Sequence, residues 1–437
     1  MESASPYRKL QDYLGTTFSA LRYRNYRLWF IGQSFSLMGT WLQSVAQSWL
    51  MYQMTHSKIA LGWLAFAGTV PTLLLMLPAG VVADRVPRRR LLVVVQAVMM
   101  LQAFTLALLV ALRALQSWHL IGLAVWLGIA NSFDAPTRHA MVAELVEGDR
   151  RTLMNAIALN SLMFNLSRVV GPALGGLILA SLGAFWCFTL NGLSFLAVIG
   201  ALLAMTPPYV YPNGHGNVRE PWHRQLVEGV RYAWSDPFIR DLILMAGVSS
   251  MFGASYITLL PAYAVEALRL QVVGFGLLHT TVGLGALVGA LTVAAGSRLT
   301  DRSRWLAVGA LGFPAALLTL ALARQAALAM AILFVVGFTF VVQFATVNTL
   351  IQSYVPDALR GRVMSIYTLM FFGLTPFGAL LAGTVAHFWS LTAGIALGAG
   401  VALTCNGALL RNGRAIRRVG HAAVREFGRS ADGQVGR

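Results

Sequence analysis

The stretch Gly80-Val-Val-Ala-Asp-Arg-Val-Pro-Arg-Arg-Arg90 is the most informative part of this 437-residue chain. It is dense in charge, yet it sits between two long apolar runs, 60–83 and 91–112. A bilayer core about 30 Å thick is crossed by about 20 apolar helical residues. Each flank is therefore long enough to cross, and the charged stretch reads as a tight turn between two crossings. Working outward, the same criterion finds ten further runs: 28–52, 118–140, 153–182, 184–205, 238–264, 272–295, 305–322, 326–351, 363–386 and 389–410. Hydrophobic residues make up 57% of the chain and charged residues only 11%, where a soluble domain carries about a quarter. That composition, with a mean hydropathy of +0.66, excludes a soluble enzyme.

A net charge of +17 would suit a nucleic-acid binder if the basic residues clustered on a wetted face. They do not. Assigning the charges to alternate sides places 28 Lys and Arg on one side and four on the other, and the one remaining residue, Arg168, lies deep inside a run. The positive-inside rule then puts both termini in the cytoplasm and makes the protein multi-pass, with no nucleic-acid partner expected. The first 27 residues hold five basic residues and no apolar core, so the first run is expected to act as the insertion signal. Cys187 and Cys405 stand alone in apolar runs, which offers neither a disulfide framework nor a metal site.

Between the sixth and seventh runs lies the one long loop, and it divides the chain. The expected organisation is a cytoplasmic segment 1–27, a six-helix bundle 28–205, a linker 206–237, a second six-helix bundle 238–410 and a basic cytoplasmic tail 411–437. Within the linker, Trp222, Leu226, Val230 and Ala233 recur at helical spacing and predict an amphipathic helix lying on the membrane surface. Gly62, Thr69, Val70 and Ala83 match Gly274, Thr281, Val282 and Ala295, a faint tandem repeat between the halves. The fold class is thus an all-α membrane protein of twelve transmembrane helices in two pseudo-symmetric bundles.

Several strings carry a resemblance. GVVADRVPRRR is similar to the loop signature G-x-x-x-D-R-x-G-R-R of the major facilitator superfamily, with Pro87 in place of Gly. RVVGPALGG, from Arg168 to Gly176, resembles the superfamily's exporter motif, with Ser167 where its first Gly stands. DAPTRHAMVAELV from Asp134, EGVRYAWSDP from Glu228 and PDALRGRVMS from Pro356 resemble the subgroup that holds siderophore exporters and macrolide-efflux proteins. The resemblance covers the whole chain. It implies proton-linked export of a small amphipathic molecule across the bacterial inner membrane, a siderophore first and a macrolide or mixed drug set second, by a transporter that works as a monomer. An importer or a transporter-like sensor are the rivals. Many antiporters of the superfamily carry an Arg in mid-span four; here the stretch 122–130 has none and Arg138 is the first. No Walker loop, zinc cluster or catalytic triad is placed on a suitable scaffold, so no cofactor and no enzyme activity are expected.

The resemblance assigns roles by position. Asp84, Arg85, Arg88 and Arg89 would form an inner gate with Arg362 and with the acids Glu144, Glu147 and Asp149; Arg138 would join them. Gly171, Pro172, Gly175 and Gly176 would pack and kink the fifth span. Spans one, four, seven and ten would line the cavity. Ser36, Thr40, Gln43 and Gln47, Asn131 and Asp134, and Thr339, Gln343 and Thr346 are therefore the expected substrate contacts, although the same faces would equally serve hydrogen bonds between helices. Ionisable groups inside a membrane are costly and usually functional. On that ground Asp134 is a proton-coupling candidate, with a structural ion pair to Arg138 as the alternative. His279 is a hydrogen-bonded core residue or else a proton carrier. Arg168, about 20 Å into its span, is the expected contact for an anionic substrate, or is buried against an acid or backbone carbonyls.

Overall fold

In the computed structural model, residues 19–146, 150–206, 222–295 and 302–412 are described, and no strand occurs among them. Twelve span-length helical segments follow one another. They are α1 Arg24–Thr55, α2 Lys58–Arg85, α3 Arg88–Ala111, α4 Ser117–Leu145, α5 Arg150–Ser181 and α6 Ala184–Ala204. After them come α7 Pro237–Ala267, α8 Val272–Ala295, α9 Arg302–Leu322, α10 Ala326–Tyr354, α11 (Asp357–Gly373 continued by Thr375–Phe388) and α12 Leu391–Asn412. A linker helix, Trp222–Ser235, stands before α7.

Ten of the segments are long and apolar enough to cross a membrane by composition alone. The other two are α1 and α4. They carry the Ser, Thr and Gln face of α1 and the Asn131-to-His139 run of α4, so their hydropathy is diluted by the polar residues singled out above.

Backbone contacts divide the chain into two compact units. The first comprises 1–47 and 70–217, the second 48–69 and 218–437. The sequence places 48–69 with the N-terminal bundle, but in the structure this hairpin packs with the second unit. Glycines allow the approach: a Cβ on Gly62 would lie 3.0 Å from the Ala379 carbonyl oxygen, and one on Gly383 would lie 2.6 Å from that of Lys58. The division in α2 falls immediately before Pro71, where the helix lacks a backbone donor.

In the second unit, α7 is not a uniform helix. Wider turns at Ser249–Gly253 and Tyr263–Ala267 interrupt it, a feature that often accompanies functional sites. Gly253 sits at the first interruption against the Phe313 ring, where a Cβ would come within 2.4 Å. The linker helix exists as expected, and of the described residues on its expected apolar face Ala233 is buried and Val230 is not. Gly229 packs on Arg362 and Ile366, and Ala233 is buried with Phe238, Ile239 and Val363, while Val230 is exposed. A small-residue face lets the helix press onto α11; the side chains of Trp222 and Leu226, from which the membrane-surface position is expected, lie outside the described set.

Candidate functional site

In the first unit the polar face of α1 is turned into its own bundle. Gln43 Nε2 donates to Gln102 Oε1 at 3.0 Å, and Asn191 Nδ2 donates to Gln43 Oε1 at 2.8 Å, tying α1, α3 and α6 together. Gln47 Nε2 reaches the Leu120 carbonyl on α4 at 3.3 Å. Thr40 donates to the Ser36 carbonyl within α1, and Ser36 is buried.

Asp134 is buried on α4 and accepts from Gln96 Nε2 on α3 at 2.7 Å. Arg138, one turn on, places Nε 3.5 Å from Asp134 Oδ2. This i,i+4 spacing puts both groups on one helix face. Asn131 is half-buried nearby on the same helix. Removing one member of a buried pair leaves the other charge uncompensated, which costs about 3–5 kcal/mol. Arg138→Ala is therefore expected to lower the unfolding midpoint markedly, and Asp134→Asn added to it should restore most of the loss; thermal unfolding of the purified protein measures both.

On α5, Gly171 and Gly175 lie close against α1. A Cβ at Gly171 would stand 2.5 Å from the Trp41 Cβ, and one at Gly175 would stand 3.2 Å from the Leu42 Cα, so these glycines seat α5 against α1. Pro172 and Gly176 are buried as well. Arg168 is half-buried and engaged, while Ser161 and Asn165 bond back to their own helix.

At the charged turn, Arg88 forms an ion pair with Glu144, and Arg89 Nη2 donates to the Leu203 carbonyl at 2.8 Å. Arg85 is exposed. The side chain of Asp84, and the residues Glu147 and Asp149, lie outside the described set. Arg362 pairs with Glu228 of the linker helix.

The second unit repeats the buried polar knot in its own terms. Ser249, at the interruption of α7, accepts from Gln343 Nε2 on α10 at 2.7 Å and from Asn406 Nδ2 on α12 at 2.9 Å. Gly309 and Gly312 of α9 make room for Gln343 and Thr339. Thr346 is buried as well. His279 is half-buried on α8, edge-on to Phe275 with centroids 4.9 Å apart.

Two features escaped the sequence reading. The first is Glu266, at the second interruption of α7. Its carboxylate accepts from the Tyr52 hydroxyl and pairs with Lys58 Nζ at 2.9 Å. Trp49 stacks on Phe275 close by in sequence, centroids 5.5 Å apart. The chain holds only two lysines, Lys9 and Lys58, and Glu266 is the one acid in the loops assigned to the sparsely basic side. That isolation was the available signal. The second is an open cleft of about 500 Å³ on α10 and α11, lined by Phe344, Tyr367, Phe371 and Phe372 with Asn348 and Thr349 among its polar groups.

Helices of this number, order and length define a multi-pass membrane protein. The chain belongs to the transmembrane secretion effector family, whose model matches residues 15–424, within the major facilitator superfamily. It is 26% identical over 352 residues to the multidrug efflux pump Tap of Mycolicibacterium fortuitum, covering 80% of this chain and 86% of that one. It is 27% identical over 363 residues to the enterobactin exporter EntS of Citrobacter koseri, covering 82% and 84%. With the staphyloferrin A transporter of Staphylococcus aureus it shares 26% over 368 residues, covering 82% and 89%. Among solved structures the fold matches the nucleoside transporter NupG with a TM-score of 0.71 at 12% identity, covering 90% of this chain and 99% of that one. The D-xylose-proton symporter matches at 0.67 and 13%, covering 89% and 97%. The protein is a transporter embedded in the inner membrane that handles a small molecule, not an enzyme.

Proposed function

We propose that this transporter exports a small amphipathic molecule from the cytoplasm by alternating access, driven by protons, as a monomer with both termini cytoplasmic. A siderophore is the first substrate class and a macrolide or drug the second, in line with what the named relatives carry. Charge asymmetry supports the orientation: the basic turn at one end of α2 is cytoplasmic, and Lys58 at its other end is outer.

One observation carries the mechanism. The outer hairpin 48–69 is grouped with the second unit while the rest of the N-terminal half forms the first. Lys58, Tyr52 and Glu266 act as a latch that holds this hairpin within the second unit. Outward opening requires the latch to break, with α2 yielding at Pro71, where a backbone hydrogen bond is already missing. Asp134 and His279 remain the proton-coupling candidates, and Asp84, Arg85, Arg88, Arg89 and Arg362 the inner gate. Gln43, Gln47, Thr339 and Gln343 are engaged inside their bundles and Arg168 is engaged as well, so an anionic substrate would compete with its present partner, and Asn131 is the better placed of the proposed substrate contacts.

Everted membrane vesicles test the proposal. With a proton gradient imposed, vesicles containing the protein are expected to accumulate a catecholate siderophore, a carboxylate siderophore or a macrolide, and accumulation is expected to stop when the gradient is collapsed. Uptake confined to intact cells would make the protein an importer. Asp134→Asn should leave binding intact but abolish the gradient dependence.

A further inference from the structure

The cleft on α10 and α11 has a chemistry of its own. Phe344 and Phe371 meet edge to face at 64°, with centroids 4.4 Å apart, and Phe371 and Phe372 meet at 80° and 4.5 Å. Tyr367 lies nearly parallel to Phe371, at 9° and 6.3 Å. The group thus offers a further ring both a face and an edge, the two arrangements that aromatic quadrupoles favour. Phe372 is 62% exposed at the mouth, whereas Phe344 is buried at the back. An exposed ring beside buried ones is an unfinished stack.

The polar groups are directional and neutral. Thr349 donates to the Ala345 carbonyl, which leaves its oxygen free to accept; Tyr367 donates to the Phe344 carbonyl. The Thr368 hydroxyl is also in the lining. None of the lining residues is charged. The nearest basic side chain on α11 towards its start, Arg362, is held by Glu228. A carboxylate entering this cleft would lose water without gaining a cation, which is unfavourable. An acyl chain would gain apolar contact but leave the hydroxyls unmatched. The volume falls in the range of small-molecule pockets, about 300–1,000 Å³.

We propose that this cleft binds an uncharged aromatic ring carrying hydroxyl or similar hydrogen-bonding groups, and that it selects the ring-bearing part of the transported molecule. The assignment rests on the transport reading above, yet binding at the cleft is measurable without transport. In contrast to the role expected for Arg168, it makes neutrality, not negative charge, the property read here.

The test is photolabelling of the full-length protein in phosphatidylcholine nanodiscs with para-hydroxybenzophenone at mildly acidic pH, where the phenol is neutral. The label is expected on peptides carrying Phe344 to Thr349 and Tyr367 to Phe372. Excess naphthol should suppress it and naphthoate should not. Phe371→Leu should reduce it about fivefold, the loss of one ring contact, while Phe388→Leu, an exposed ring at the far end of α11, should not change it. Should Phe371→Leu fail to fold, Phe372→Leu at the exposed mouth carries the same expectation. Labelling spread over exposed aromatic residues, or suppression by naphthoate as strong as by naphthol, overturns the proposal. Vesicle accumulation without cleft labelling also overturns it, and leaves the export reading standing.

Discussion

Replacing Glu266 by Ala is expected to raise about tenfold the rate at which a cysteine placed at Leu61 reacts with a membrane-impermeant maleimide added outside, in a background with Cys187 and Cys405 replaced by Ala. Leu61 is buried in the hairpin that packs with the second unit, so its reaction reports release of that hairpin. The carboxylate receives both the Lys58 ammonium and the Tyr52 hydroxyl. Hydrogen bonds to a charged group contribute about 1.5–3 kcal/mol each. The Lys58 and Glu266 side chains are 17% and 35% exposed, so solvent screening moves the expectation to the low end, about one factor of ten. Tyr52→Phe, which removes one bond and keeps the charge pair, should give about a threefold rise. Unchanged labelling in Glu266→Ala would show that the hairpin is held by packing alone.

Gly285→Ala is expected to destabilise the second unit by about 3 kcal/mol or more, lowering its melting point by about 6–12 °C. A Cβ at Gly285 would stand 1.9 Å from the Phe334 carbonyl oxygen, and one at Gly337 would stand 2.1 Å from that of Val282. Here α8 and α10 meet backbone to backbone, the arrangement that small residues permit in membranes. A methyl group cannot be absorbed by a rotamer change because backbone, not side chain, blocks it. Gly337→Ala should cost a similar amount. Gly361→Ala is the control, since nothing lies within 4 Å of its added methyl group. Thermal unfolding of the detergent-solubilised protein reads all three.

The spans were legible because a membrane forbids unpaired backbone groups, so long apolar runs have one common outcome. The charged turn at Arg85 to Arg90 and the loop before Pro237 were legible for the same reason. What α1 and α10 do with their polar faces was not. Spacing of three and four is identical for residues that line a cavity and for residues that knot a bundle, and only the presence of Gln102, Asn191, Ser249 and Asn406 opposite Gln43 and Gln343 separates the two.

The interruptions of α7 were hidden as well. Neither Pro nor a charge marks Ser249–Gly253, and its cause is tertiary: Gly253 presses on Phe313 while Ser249 collects two amide donors. Glu266 falls between the runs 238–264 and 272–295, and its isolation among four basic residues on that side is visible in the sequence. In the linker, hydrophobic spacing favoured Val230 and Ala233, of which Ala233 is buried, while the closeness of α11 adds Gly229.

The latch at the centre of this account has an unusual handle. Lys58 Nζ lies 2.9 Å from Glu266 Oε1, so a carbodiimide can join them directly as an amide. With Lys9 the only other lysine, the product is readily identified by mass. Coupled protein in everted vesicles is predicted to bind substrate but to accumulate none, while Lys58→Arg protein treated identically keeps transporting. Full accumulation by quantitatively coupled protein would contradict alternating access through release of this hairpin.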